Sequence, residues 1–216
     1  MCVILGKMET QEKPSTELLR ACWESNPHGG GIMWRDGIGA EIKVHKGLMS
    51  FGEFLKIAEA VPDGAEAWYH ARIVSRGGIC QEQCHPFYLR GGAWFMHNGT
   101  FHIEPWQGMS DTQTVGEYLN ENPGENIAAV LRGLCRESGS KVALMAPGKK
   151  TQLFGQWEEY GGYKASNTYF APSLRRGEVK RWVKSKTLCE SCANYGDECF
   201  GLLPEYYTNC LYYKKA

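Results

Sequence analysis

The second residue of the chain is a cysteine. Once Met1 is removed, the Cys2 thiol and a free α-amine share one residue. The amine, with an ordinary pKa of about 7.7–8.0, is partly neutral at cell pH. It can take the thiol proton directly or through one water, so Cys2 carries its own base. A chain can also begin Met-Cys by chance, and the reading gains weight only from matching segments farther along the chain. A second group with chemical potential lies at the other end, where Cys189 and Cys192 form a Cys-x2-Cys knuckle followed by Cys199 and Cys210. Four thiolates can grip a tetrahedral zinc ion or an iron–sulfur cluster. The alternative for that tail is reduced thiols packed by nearby aromatics.

These groups have to be positioned by a chain of 216 residues, enough for one large domain plus a small appendage. Apolar residues make up 43%, ample for a core, and 24 basic residues balance 24 acidic ones. Zero net charge argues against a wholesale polyanion binder. No apolar run approaches the roughly 18 residues of a membrane helix. The apolar stretch 2–5 is too short for a secretory signal, and Lys7, Glu9, Glu12 and Lys13 come directly after it. The expectation is a cytoplasmic protein with no membrane partner, whose nine cysteines are reduced or metal-bound.

Periodicity and punctuation predict a strand over 2–6, a helix over 15–25, and a hairpin over 31–35 and 40–45. A capped helix is expected over 50–60, opened by Ser50-x-x-Glu53. A central strand over 67–75, a long loop over 76–92 and a strand over 93–96 come next. Helices are expected over 110–120, with a second capping box, and over 125–137. Strands are expected over 141–145, 152–156 and 163–170. Strands, then helices, then strands favour packed sheets flanked by helices over alternating βαβ units. At about residue 174 the composition shifts: 175–186 carries six basic residues and one acid, and the cysteine tail comes after it. The organisation read from this is a domain over 1–174 and a basic linker with cysteine tail over 175–216.

Five short segments, Met1-Cys2, the run 26–31 (NPHGGG), the run 70–75 (HARIVS), His97-Asn98-Gly99 and Ser110-Asp111-Thr112, occur in an order and spacing that resemble the glutaminase domain of class II glutamine amidotransferases. The resemblance covers about residues 1–172. It implies an α+β fold, the four-layer αββα sandwich of N-terminal nucleophile hydrolases, here with a small cysteine-containing tail. It also implies that Cys2 attacks the side-chain amide of L-glutamine to form a γ-glutamyl thioester. Asn98 and Gly99 correspond to the oxyanion hole, Arg72 to the clamp on the substrate α-carboxylate, and Asp111 to the group receiving the α-ammonium. Ser75 stands where the family often has a threonine near that carboxylate, and His97 would line the substrate. Glutamine hydrolysis by this route uses no cofactor, so zinc or a cluster would be a matter for the tail alone.

There are departures. Arg76-Gly77 stands where the family commonly has His-Gly, and His28 where an aspartate is common. The familiar His85-Pro86-Phe87 is preceded by Cys80 and Cys84. The chain contains neither a Walker phosphate loop nor a dinucleotide fingerprint. The ammonia would therefore go to a separate synthetase or ligase partner. Two other readings stay open at this stage: an N-terminal-cysteine hydrolase acting on another γ-glutamyl or acyl amide, and a non-catalytic module whose working part is the tail.

Overall fold

The computed structural model describes residues 1–75 and 77–171. The basic stretch, the Cys189, Cys192, Cys199 and Cys210 set, the boundary near 174 and Arg76 lie outside the described residues. Among the described residues ten strands form two antiparallel sheets. The larger sheet contains β1 (Val3–Lys7), β2 (Gly30–Arg35), β3 (Lys43–Leu48), β4 (Glu66–Ala71), β9 (Glu158–Tyr160) and β10 (Tyr163–Ala165), in the order β3-β2-β4-β1-β10-β9. The smaller contains β5 (Phe87–Leu89), β6 (Ala93–Asn98), β7 (Lys141–Met145) and β8 (Gln152–Phe154), in the order β5-β6-β7-β8.

Helices α1 (Thr16–Ser25) and α2 (Phe51–Ala60) cover the outer face of the larger sheet, and α3 (Asp111–Glu121) and α4 (Ile127–Ser138) that of the smaller. Three cores separate the four layers. Leu18, Leu19, Trp23 and Phe54 pack on Val3, Leu5, Ile32 and Tyr69. Val115, Leu119, Leu131 and Cys135 pack on Phe95, Val142 and Leu144. Between the sheets, Ile4, Met33 and Trp68 meet Met96, Ala143 and Met145. The alternation of Val3 and Leu5 against Ile4 is the two-residue period of a strand buried on both faces. It explains why β1, β2 and β4 are buried at every position. The αββα sandwich implied by the sequence is therefore the observed fold.

Local signals placed most elements. Ser50 and Glu53 form the reciprocal capping box of α2, and Ser15 caps α1 through Leu18 N–H. In α3, Ser110 accepts from Gln113 N–H, one half of the expected box. Several boundaries differ from expectation. The strand expected over 67–75 ends at Ala71; Arg72 still exchanges backbone bonds with His28 and Gly29, and only at Val74 does a side chain take over, the His28 ring. The loop expected over 76–92 holds β5 and a 3₁₀ turn at Gln81–Gln83. The strand expected over 163–170 is only β10, after which 166–167 turn inward, and β9 was not anticipated because its short polar run lacks apolar alternation.

Charged residues buried at strand ends tie the layers together. Arg35 Nε and Nη2 donate to Glu66 Oε2 at 3.0 and 2.7 Å. Nη1 donates to the carbonyls of Ala146 and Lys149 in the β7–β8 turn, at 3.1 and 2.6 Å. Trp68 Nε1 donates to the other Glu66 oxygen. Removing one member of a buried ion pair strands the other, typically at about 3–5 kcal/mol. Glu66→Gln is therefore expected to lower unfolding stability by about that amount, read in urea as a lower midpoint with an unchanged slope.

Candidate active site

The site lies where strands of both sheets end. In the β1–β4 ladder Val3 pairs with Ala71, so the next residue of each strand, Cys2 and Arg72, leaves the sheet on the same side. Residues 72–74 are held by a different set of bonds. His28 N–H donates to Arg72 O at 2.9 Å, Arg72 N–H to Gly29 O at 2.8 Å, and Val74 N–H to His28 Nδ1 at 3.0 Å. The His28 that departs from the expected motif thus anchors the segment behind Cys2. Burial, and secondarily the Arg72 charge, lowers its pKa. That suits a ring nitrogen that must stay an acceptor.

Cys2 Sγ lies 3.4 Å from both the N–H and the carbonyl oxygen of Ile73. Asn167 Nδ2 donates to the Cys2 carbonyl at 2.7 Å. Burial pushes the thiol pKa up, and the Ile73 N–H and the Arg72 charge only partly offset this. The sulfur is therefore held protonated and needs a base to act as a nucleophile.

Cys2, Arg72, Ser75, His97, Gly99 and Asp111 line one cleft of about 290 Å³, part of it open to solvent, together with His85, Ser110 and Thr112. Arg72 is buried, and its guanidinium donates to Gly78 O at 2.7 Å and Gln83 Oε1 at 3.1 Å. Asp111 sits in the first turn of α3, and its Oδ2 accepts Phe101 N–H at 2.7 Å. Gly99 has φ 136°, and a Cβ there would fall on the Ser140 side chain, so the turn after β6 admits only glycine. Asn98 is not among the residues lining the cleft. It is buried next to Gly99, and its Nδ2 donates to Ser166 Oγ at 2.8 Å.

No family model matches the sequence, and no curated protein matches it. Solved structures do. The glutamine phosphoribosylpyrophosphate amidotransferase of B. subtilis, complexed with ADP and GMP, aligns with TM-score 0.55 at 14% identity, over 81% of this chain and 44% of its own. A structure titled the allosteric regulatory enzyme of purine biosynthesis aligns with TM-score 0.53 at 15% identity, over 81% and 43%. The fold is that of the class II glutamine amidotransferases. The chain spans less than half the length of these two relatives.

Within this amidotransferase fold, four polar residues support the site that sequence reasoning did not single out for it: His28, Gln83, Ser166 and Asn167. Gln83 is a buried hub. Its Oε1 accepts from Arg72 and from Gly78 N–H at 2.8 Å, and its Nε2 donates to Gly108 O at 3.0 Å. It ties the loop after β4 to the loop before α3. No local pattern marks it, since its partners are distant in sequence. Cys84 packs its sulfur 3.9 Å from Met49 Sδ. Among the described residues no group of His, Cys, Asp or Glu is arranged to hold a metal, and no helix is long and apolar enough to cross a membrane.

Three buried histidines form one wall. His70 stacks on His85 with ring centroids 4.0 Å apart, and His97 stacks on Phe101 at 3.8 Å. His97 Nδ1 lies 2.8 Å from Thr112 Oγ1, and His70 Nε2 lies 3.3 Å from His97 O. Burial drives the pKa of His70 and of His97 down to about 3, and that of His85 well below the usual histidine range. All three are neutral in the folded protein at about pH 5, whereas the unfolded chain protonates them near 6.5. Their contribution to stability is therefore complete above about pH 6.5 and lost as pH falls towards 3. His70→Gln should reduce proton uptake on unfolding at about pH 5 by close to one, read from the slope of unfolding free energy against pH.

Proposed function

We propose that the chain, once Cys2 is its first residue, hydrolyses L-glutamine to glutamate and ammonia. The observation carrying this reading is that Cys2, Arg72, Ser75, Gly99 and Asp111 surround one cleft. The α-carboxylate of glutamine would meet Arg72. The neutral carbonyls that Arg72 now holds are weaker partners than a carboxylate. The α-ammonium would meet Asp111, whose place in the first turn of α3 favours its ionised form. Ser75 and His97 would contact the substrate alongside them.

The Cys2 amine takes the thiol proton, and Sγ attacks the substrate Cδ. The carbonyl oxygen takes up the negative charge before the Asn98 side-chain amide and the Gly99 backbone N–H. Collapse breaks the C–N bond, the proton passes from the amine to the leaving nitrogen as ammonia, and a γ-glutamyl thioester remains. Water, activated by the same amine, attacks the thioester to release glutamate and restore the thiol. A raised thiol pKa fits a nucleophile that is deprotonated only as it attacks. In this chain Cys2 is joined to an exposed Met1, so removal of Met1 is the activating step.

The ammonia would pass to a separate synthetase or ligase that uses it. The test is intact mass spectrometry of the native chain after treatment with a diazo-ketone analogue of glutamine, beside ammonia release from L-glutamine. The expected result is loss of Met1, one label on Cys2, and turnover abolished by Cys2→Ala with its melting temperature kept and by Asp111→Asn, which keeps an acceptor for Phe101 N–H. A retained Met1 with no label, or release of other amides unaffected by free glutamine, would sink this reading.

A further inference from the structure

We propose that Ser166 is a positioning residue that anchors the Asn98 carboxamide beside Gly99 and so stops it turning while charge develops on the substrate; this rests on the reading of Cys2 as the attacking thiol. Ser166 is fully buried just beyond the end of β10. Its backbone N–H donates to Ile4 O at 2.9 Å, and its Oγ accepts Ile4 N–H at 2.8 Å. The hydroxyl oxygen is thus pinned to β1, two residues from the nucleophile. Its second lone pair takes the Asn98 N–H. This bond crosses between the sheets, from the β1–β10 edge of one to the end of β6 in the other. The adjacent Asn167 holds the Cys2 carbonyl, and its own Oδ1 accepts Tyr169 N–H. One dipeptide therefore orients both the nucleophilic residue and the amide beside Gly99.

The chemistry makes rotation decisive. A carboxamide has a donor end and an acceptor end of nearly the same shape, so packing alone does not distinguish them. An oxyanion is stabilised by the N–H end and repelled by the oxygen. Asn98 Oδ1 is buried with no hydrogen-bond partner among the described residues. Among the described residues the Ser166 hydroxyl is the hydrogen-bond partner of the Asn98 side chain. Without it the carboxamide is free to turn.

The test is a double-mutant cycle on the mature full-length chain, with kcat and KM for L-glutamine and thermal melting for each variant. Ser166→Ala is expected to lower kcat by about 10–100-fold, less than the roughly 10²–10³-fold of losing an oxyanion donor outright, with KM nearly unchanged. Ser166→Cys, a weak acceptor of similar size, should fall in the same direction and stands in if the alanine variant does not fold. Ser166→Thr, which keeps the hydroxyl, should recover most of kcat. In an Asn98→Ala background, Ser166→Ala should add nothing, because its effect runs through the amide. Full additivity in the cycle would overturn the inference. So would wild-type kcat in both the alanine and cysteine variants of an active enzyme. Absence of turnover and of Cys2 labelling in the wild-type chain would instead overturn the glutaminase reading, and this inference with it.

Discussion

The β1–β4 ladder is the constraint on which the rest depends. Its last pair, Val3 with Ala71, leaves Cys2 and Arg72 as the first residues beyond two adjacent central strands. The sulfur therefore reaches the Ile73 backbone without any long loop to order. A slip of one residue would turn every side chain of β1 to its opposite face, exchanging Ile4 for Val3 and Leu5 between the cores. Because both faces of β1 are buried, such a slip is heavily penalised. The packing of an ordinary core strand thus fixes Cys2, close to a terminus of the kind that frays in most proteins.

A second effect comes from where the strands end. The cleft forms where β1 and β4 of one sheet and β6 of the other run out, so backbone groups there have lost their ladder partners. Side chains take the missing bonds: His28 on Val74, Ser166 on Ile4, Asn167 on Cys2, Asp111 on Phe101. These are buried polar contacts of the kind that stiffen a site when satisfied, since an unpaired group in a low dielectric is costly. Neutral His85 and His97 line the same cleft as Arg72 and Asp111, burial keeping both rings uncharged. Gln83 joins the two loops that carry the rim and rests on Arg72 itself. Arg72 and the two loops of the rim are accordingly one bonded unit.

The sequence by itself determined the layers and singled out Cys2 as the candidate reactive residue. Apolar runs with a two-residue period and helices with capped starts are local signals, and they found α1–α4 and most strands because local and global preferences agree here. The order of five short segments pointed to Cys2, Arg72, Asn98, Gly99 and Asp111. Tertiary structure alone decided that Cys2, Arg72, Gly99 and Asp111 share a cleft, and that Asn98 stands behind it on Ser166. It also decided the supporting shell of His28, Gln83, Ser166 and Asn167, and the short β9. The physical reason is range. Caps and amphipathic periods act over three or four residues, whereas Asn167 meets Cys2 across 165 positions and Ser166 meets Ile4 across 162, contacts that leave no local mark.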